Sequence, residues 1–180
     1  MHSYMAASKV SINLASAQVK LDIPLTRIQF NDDAAKAAVK HNTTLYIMSR
    51  TGSYIWHKVN FMLSDWGRVV FNDCSETPSM LFFTNRSNVL LVDVDIFKSL
   101  DDAIDWLLEF RLHNPTIPVV ITSDQFTYND LSIQRMAIAD ASVRTPSSID
   151  FLIGSVLQAI ENNKLYQKAV SANQRNTKKA

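Results

Sequence analysis

The sequence contains little glycine and cysteine, and this scarcity argues against several kinds of site. Its three glycines, Gly52, Gly67 and Gly154, fit neither a phosphate-binding P-loop nor a dinucleotide-binding fingerprint. Cys74 is the single cysteine, so no disulfide can form within the chain. A catalytic thiol would need a base that the sequence does not place beside it. We therefore expect Cys74 to be a small, half-buried apolar residue.

Recognisable metal and hydrolase motifs are also lacking. The four histidines are scattered without the spacing of metal ligands. Neither a Gly-x-Ser-x-Gly elbow nor a His-Glu-x-x-His pair occurs. We therefore predict a protein that is not an enzyme, with no catalytic residues and no metal site.

Long hydrophobic runs are missing as well. An apolar run such as Val89–Val92 covers only a few residues, whereas a helix that crosses a membrane needs about 20. No apolar segment of the kind found in signal peptides follows Met1. We therefore expect a cytoplasmic protein without a membrane partner.

The composition is that of a folded soluble protein, with 47% hydrophobic and 19% charged residues among 180. The net charge of +1 is unevenly distributed. Five basic residues follow residue 163 without any acid, which leaves 13 basic and 17 acidic residues before it, a net charge of −4. An acidic body with a basic tail argues against a nucleic-acid partner, although the tail could touch phosphates nonspecifically.

Short β-rich runs alternate with helical patterns from Thr44 onward, which is typical of a parallel sheet in an α/β domain. The five predicted strands are Leu45–Met48, Val69–Phe71, Val89–Val92, Pro118–Ile121 and Ala141–Val143. Helices are predicted over residues 55–66, from Thr77 over a short segment, and over residues 99–108, 127–138 and 149–160. Gly67 ends the first of these helices, and Thr127 and Asp130 can cap the fourth.

Three regions are expected along the chain. Residues 1–43 form an N-terminal arm, with an edge strand over residues 19–25 and a short helix from Asn31 to Val39. Residues 44–165 form the domain, and residues 166–180 form a basic flexible tail. The arm is apolar enough to need a partner surface, so it packs either on its own sheet edge or in a homodimer.

Polar residues follow several predicted strands directly. Asp93 and Asp95 come at the end of the third strand, Ser123 ends the fourth, and Thr145 follows the fifth. Ligands of doubly wound sheets bind at the carboxyl ends of the strands. We therefore expect these residues to meet in one crevice, although the carboxylates could equally solubilise a loop and Ser123 could merely cap a turn.

Over residues 44–165 the chain resembles the receiver domain of two-component response regulators. The run Asn88–Asp93 matches the third strand of that family, whose final Asp accepts a phosphoryl group, and Ser123 follows Pro118 as the family's switch residue follows its proline. The resemblance implies a flavodoxin-like, five-stranded parallel sheet of order 2-1-3-4-5 with helices on both faces. It also makes Asp93 the equivalent of the phosphoacceptor.

Other positions depart from that family. Ser49 and Arg50 stand where the resemblance requires an acidic pair that holds magnesium, and Thr145 stands where it requires a lysine. Asp93 alone is a poor magnesium site, and phosphoryl transfer to a carboxylate needs a compensating cation. We expect no cofactor, with Mg²⁺ only if Asp93 is phosphorylated. We also expect an ion pair from Arg50 to Asp93 that lowers the pKa of Asp93.

Three functions remain open from the sequence. The first is a pseudo-receiver that acts by binding a histidine kinase or another regulator, without phosphorylation by the usual magnesium-dependent route. The second is a stand-alone response regulator phosphorylated at Asp93. The third is a small α/β ligand-binding protein or enzyme that shares only the order of the strands.

Overall fold

A five-stranded, all-parallel sheet forms the centre of the computed structural model, which describes residues 33–74, 81, 83 and 88–177. The strands lie in the order β2-β1-β3-β4-β5, as predicted. They are β1 (Thr44–Ser49), β2 (Arg68–Asp73), β3 (Asn88–Asp93), β4 (Val119–Ser123) and β5 (Ala141–Arg144). The helices are α1 (Asp33–Asn42), α2 (Tyr54–Asp65), α3 (Leu100–His113) and α4 (Ile149–Thr177), with a 3-10 turn at Val94–Ile96.

Helices cover both faces of the sheet, which explains the continuous apolar run of β3. All six residues of β3 are buried. Because successive side chains of a strand point to opposite faces, Leu91 packs in a core with residues of α2 and α4, whereas Val92 packs in a second core with residues of α3. A central parallel strand therefore needs apolar residues at every position.

Serine residues start two of the helices. The Ser53 hydroxyl oxygen accepts a hydrogen bond from the Trp56 backbone N–H at 3.1 Å, and Ser99 accepts one from Asp102 at the same distance. Each bond satisfies an N–H that has no partner within its helix. The start of the helix predicted from residue 99 is therefore confirmed, although α3 continues beyond residue 108 to His113.

Gly67 allows α1 to pack against the turn between α2 and β2. Its N–H donates to the Lys40 carbonyl at 3.1 Å, and a Cβ atom at Gly67 would lie only 2.7 Å from the His41 carbonyl oxygen. Glycine is required here by close approach. The helix expected to end at Val39 continues to Asn42. Residues 1–32, with the predicted edge strand, and residues 75–80, with the expected start of a helix at Thr77, lie outside the described ranges.

The helix predicted over residues 127–138 is wrong. The segment forms turns, and the backbone of Asp130 pairs with Ser142 in an antiparallel bridge through hydrogen bonds of 2.8 and 2.7 Å. The Asp130 carboxylate also accepts hydrogen bonds from the N–H and the hydroxyl of Ser132. Such local bonds compete with helix formation, and the bridge to β5 uses backbone groups that a helix would need.

The last helix, predicted over residues 149–160, is longer than expected, because α4 continues through Thr177 and includes most of the tail expected over residues 166–180. Residues 161–177 contain neither glycine nor proline and include good helix formers. Pairs one turn apart contact each other along the helix, with Lys164 Nζ 2.6 Å from Glu161 Oε1 and the side-chain amides of Asn163 and Gln167 2.6 Å apart. Within the described ranges, no helix is both long enough and apolar enough to cross a membrane.

Candidate functional site

A cleft of about 220 Å³ lies at the edge of the sheet where the parallel strands end. Ser49 is the last residue of β1, Asp93 is the last of β3, and Ser123 is the last of β4. The Thr145 N–H donates to the Ser123 carbonyl at 2.9 Å, which places Thr145 at the same edge. Residues that line the cleft include Arg50, Tyr54, Asp93, Asp95, Asp124 and Thr145. The strand-end residues predicted to meet are therefore brought together.

Asp93, at the end of β3, accepts hydrogen bonds from a serine hydroxyl and from a backbone N–H. The Ser49 hydroxyl donates to Asp93 Oδ2 at 2.6 Å, and the Asp95 N–H donates to Asp93 Oδ1 at 3.3 Å. The oxygens of Ser49 and Ser53 lie 2.7 Å apart. Because the single hydroxyl proton of Ser49 is directed to Asp93, Ser53 is the donor in that contact. A chain of hydroxyl donors thus ends on Asp93.

The pKa of the Asp93 carboxyl is raised above its ordinary value. Burial is the largest cause, since only 8% of the residue is exposed, and the negative charges of Asp95 and Asp124 raise the pKa further. The hydrogen bonds from Ser49 and from the Asp95 N–H act in the opposite direction. The expected lowering of this pKa is therefore wrong.

Arg50 lines the cleft but is not the expected counter-ion. Its Nη2 donates to the carbonyl oxygen of Ile96 at 3.0 Å, at the end of the 3-10 turn. No ion pair joins Arg50 to Asp93 among the residues that the structure describes. The side chain is exposed, so its charge is solvated at the rim. The predicted ion pair with Asp93 is therefore wrong.

Asp95 joins the loop after β3 to the end of β4. The Ser123 hydroxyl donates to Asp95 Oδ1 at 2.5 Å, and the Asp124 N–H donates to Asp95 Oδ2 at 3.0 Å. The Ser123 oxygen in turn accepts from the Gln125 N–H at 3.0 Å. Both oxygens of Asp95 are thus used within the protein, and the start of the 124–140 segment is held to β3.

The end of β5 presents a neutral side chain to the cleft. Thr145 is buried, whereas Arg144 is exposed and absent from the lining, in agreement with the expected alternation along the strand. Ser142 of β5 accepts a hydrogen bond from Arg135 Nη1 at 3.2 Å. This polar contact joins β5 to the 124–140 segment.

Three polar residues that line the cleft were not among the predicted site residues. Ser53 could have been found, since a serine directly before a helical pattern is a typical cap. Asp124 follows β4 and could have been grouped with the other strand-end carboxylates. Tyr54 carried no local signal, because its hydroxyl oxygen accepts from the Ser147 N–H at 3.0 Å, 93 residues away in the sequence.

A second, apolar cavity of about 380 Å³ lies between α3 and the 124–140 segment. The turns of that segment stand where a fourth helix was predicted, and they leave space beside α3. The lining includes Ala103 and Leu107 of α3, Ile121 of β4, and Phe126 and Ile138 of the segment. The lining of this cavity is mainly apolar, whereas the cleft at the ends of the strands is lined by charged and polar residues.

Comparisons of the chain with family models, curated proteins and solved structures found no match. In the part of the chain that the structure describes, no group of three or more His, Cys, Asp or Glu side chains is arranged to hold a metal ion. The carboxylates of Asp93 and Asp95 are instead engaged by hydroxyl and backbone N–H donors.

Proposed function

We propose that this chain is an atypical receiver-like signalling module of flavodoxin-like fold, which acts by protein–protein interaction and is not phosphorylated by the usual magnesium-dependent route. The hydrogen bond from Ser49 to Asp93 is the observation that carries this proposal. In the receiver resemblance, Ser49 occupies a position of the acidic pair. A neutral hydroxyl that donates to Asp93 adds no negative charge for Mg²⁺, which binds proteins mainly through carboxylates.

The charges around Asp93 also oppose phosphorylation. Transfer of a phosphoryl group to a carboxylate brings two anions together, so positive charge must be placed beside them. Asp95 and Asp124 add negative charge instead, and they raise the pKa of Asp93 in addition to the larger effect of burial. Arg50 donates to a backbone carbonyl, and Thr145 is neutral.

Fixed hydrogen bonds around the cleft favour a module that works in a single conformation. Asp95 holds Ser123 and the Asp124 N–H, so the start of the 124–140 segment is tied to β3 without any added phosphate. A surface that is held permanently in one arrangement suits constitutive binding. The partners implied by the resemblance are a histidine kinase or another regulator.

Intact-mass measurement after incubation with acetyl phosphate, with and without Mg²⁺, tests the proposal. We expect no added phosphoryl group under either condition. The matched variant Ser49→Asp with Thr145→Lys restores the charges that the resemblance requires, and we expect it to gain magnesium-dependent phosphorylation. A phosphoryl group on the unmodified chain that Asp93→Asn abolishes would refute the proposal.

The second candidate is a stand-alone response regulator that is phosphorylated at Asp93. It is favoured by the position of Asp93 on the wall of the cleft at the carboxyl ends of the strands. The mass measurement separates the two functions directly, because only this candidate predicts a mass increase of the unmodified chain. If this candidate is correct, beryllofluoride, which imitates the phosphoryl group, should bind the unmodified chain and should not bind Asp93→Asn.

A further inference from the structure

Two parallel rows of side chains lie along α3. Apolar residues occur at every fourth position, and an acidic residue directly follows each of the first three. We refer to the apolar row as the apolar ridge and to the acidic row as the acidic ridge. Residues four apart in a helix form a continuous ridge on its surface. The apolar ridge is Leu100, Ile104, Leu108 and Leu112, and the acidic ridge is Asp101, Asp105 and Glu109.

Both ridges reach the surface, because α3 uses other residues for the core. Ala103, Trp106, Leu107 and Phe110 are buried against the sheet. On the apolar ridge, Leu100 is 62% exposed, Leu108 37% and Leu112 78%, and all three acids of the acidic ridge are exposed. Single exposed leucines are ordinary, but a row of them beside carboxylates forms a patch of the kind that contacts another protein.

The C-terminal half of α4 has the complementary chemistry. Lys164 and Lys168 are four residues apart, which places them on one side of the helix, and Arg175 follows seven residues later in the sequence. No acid follows residue 163, and Lys178 and Lys179 continue the basic sequence. The apolar residues Leu165, Ala169 and Val170 accompany the basic ones and are partly exposed. The pair between Lys164 and Glu161 is a surface contact and contributes little.

The lengths of the two surfaces also correspond. At 1.5 Å per residue, the apolar ridge from Leu100 to Leu112 extends about 18 Å, and α4 from Lys164 to Arg175 extends about 16 Å. Basic residues four apart on α4 have the same spacing as the acids of the acidic ridge. An α4 helix laid along α3 can thus place lysines beside the carboxylates.

We propose that the basic C-terminal half of α4 from one copy of the chain docks on the two ridges of α3 in a second copy. A second copy is the occupant because each chain carries both the acidic ridge on α3 and the basic C-terminal half of α4. In a two-fold dimer each such contact occurs twice, once in each direction. The inference does not depend on whether Asp93 is phosphorylated, so either proposal can fail without the other.

Light scattering or sedimentation of the full chain tests the dimer at low and high salt. Between about 0.1 M and about 1 M salt the Debye length falls from about 10 Å to about 3 Å, which weakens exposed ion pairs. We expect a dimer at low salt and a shift toward monomer at high salt. A chain that is monomeric in both conditions, even at high protein concentration, would overturn the proposal and leave the ridges for another partner.

Charge reversal gives the sharper test. The variants D101K/D105K/E109K and K164E/K168E/R175E should each be monomeric, because each places like charges in both contacts. An equimolar mixture should form a heterodimer, since the reversed ridge of one matches the reversed helix of the other. Asp150→Lys, a reversal of an exposed acid at the start of α4, is the control and should remain dimeric.

Recovery in the mixture also shows that both reversed variants are folded. Dimers that persist after reversal of the acidic ridge would contradict the proposed contact. The proposed contact would also be contradicted if both variants are folded by circular dichroism and monomeric, but do not associate when they are mixed.

Discussion

The buried ion pair between Arg111 and Asp140 allows the structure to be tested quantitatively. Arg111 Nη2 donates to Asp140 Oδ2 at 2.7 Å, and the two side chains are only 2% and 0% exposed. Asp140 Oδ2 also accepts from the Val119 N–H at 2.8 Å, and Arg111 Nη1 donates to the Ile117 carbonyl at 2.9 Å. The Cζ atom of Arg111 lies 4.7 Å from the centroid of the Tyr166 ring. The pair thus joins α3, the start of β4 and the residue before β5 to α4.

Removal of the cation alone should be costly. Arg111→Met leaves the Asp140 carboxylate buried without its counter-ion, and breaking a buried pair in this way costs about 3–5 kcal/mol. Solvent does not reduce this value much, because neither side chain is accessible. Against a total stability of about 5–15 kcal/mol for a domain, we expect a large decrease in the urea concentration at which half of the protein is unfolded.

The double variant Arg111→Met with Asp140→Asn should recover most of the lost stability. The Asn oxygen can still accept from the Val119 N–H, and no buried charge remains. The native pair itself is imperfect, since Arg111 Nε and Asp140 Oδ1 have no hydrogen-bond partner among the described residues. Its replacement by neutral groups is therefore expected to cost little.

The pH dependence gives a second measurement. Burial raises the pKa of Asp140, and Arg111 offsets this only in part. The loss caused by Arg111→Met should be full at neutral pH and should shrink as the pH falls toward 3.8, the ordinary value for the carboxyl, because a protonated Asp140 needs no cation. Arg135→Met, which removes a half-buried arginine 3.5 Å from Asp130, is the control and should cost about 0–1 kcal/mol from the lost pair and about 1 kcal/mol from the hydrogen bond to Ser142. An Arg111→Met loss that is equally small and independent of pH would refute the reasoning.

Further substitutions test the cleft and the two glycines with contrasting surroundings. Asp93→Asn should raise the free energy of unfolding at pH 7. Because the native pKa of Asp93 is raised, the protonated carboxyl stabilises the fold below the ordinary value of 3.8, and this stabilisation is lost as the pH rises. Urea unfolding should therefore show a gain from Asp93→Asn at pH 7 that vanishes below pH 4. Gly67→Ala should cost about 1–3 kcal/mol, since its Cβ would meet the His41 carbonyl. Gly154→Ala, with open space around its Cβ, should instead raise the melting temperature by the equivalent of about 1 kcal/mol. Equal effects of the two alanines would contradict the packing of α1.

Local patterns in the sequence were sufficient to predict the sheet. The apolar run Val89–Val92 predicts a strand covered on both faces, and β3 is buried throughout. Ser99 predicts the start of α3 because a serine cap acts within a single turn. The convergence of Asp93, Ser123 and Thr145 was also predictable, since parallel strands end at the same edge of a sheet.

Tertiary structure decided the contacts within that edge and the form of two segments. The donation from Ser49 to Asp93 joins residues 44 positions apart, and the contact of Ser123 with Asp95 joins residues 28 apart. Arg50 had a carboxylate and a carbonyl within the same cleft, and only the folded geometry selects Ile96. Likewise, residues 127–138 carry helix signals, but the bridge from Asp130 to Ser142 uses the backbone that the helix required. Caps and apolar periodicity act between neighbours in the chain, whereas the choice among competing polar partners depends on distances that exist only after folding.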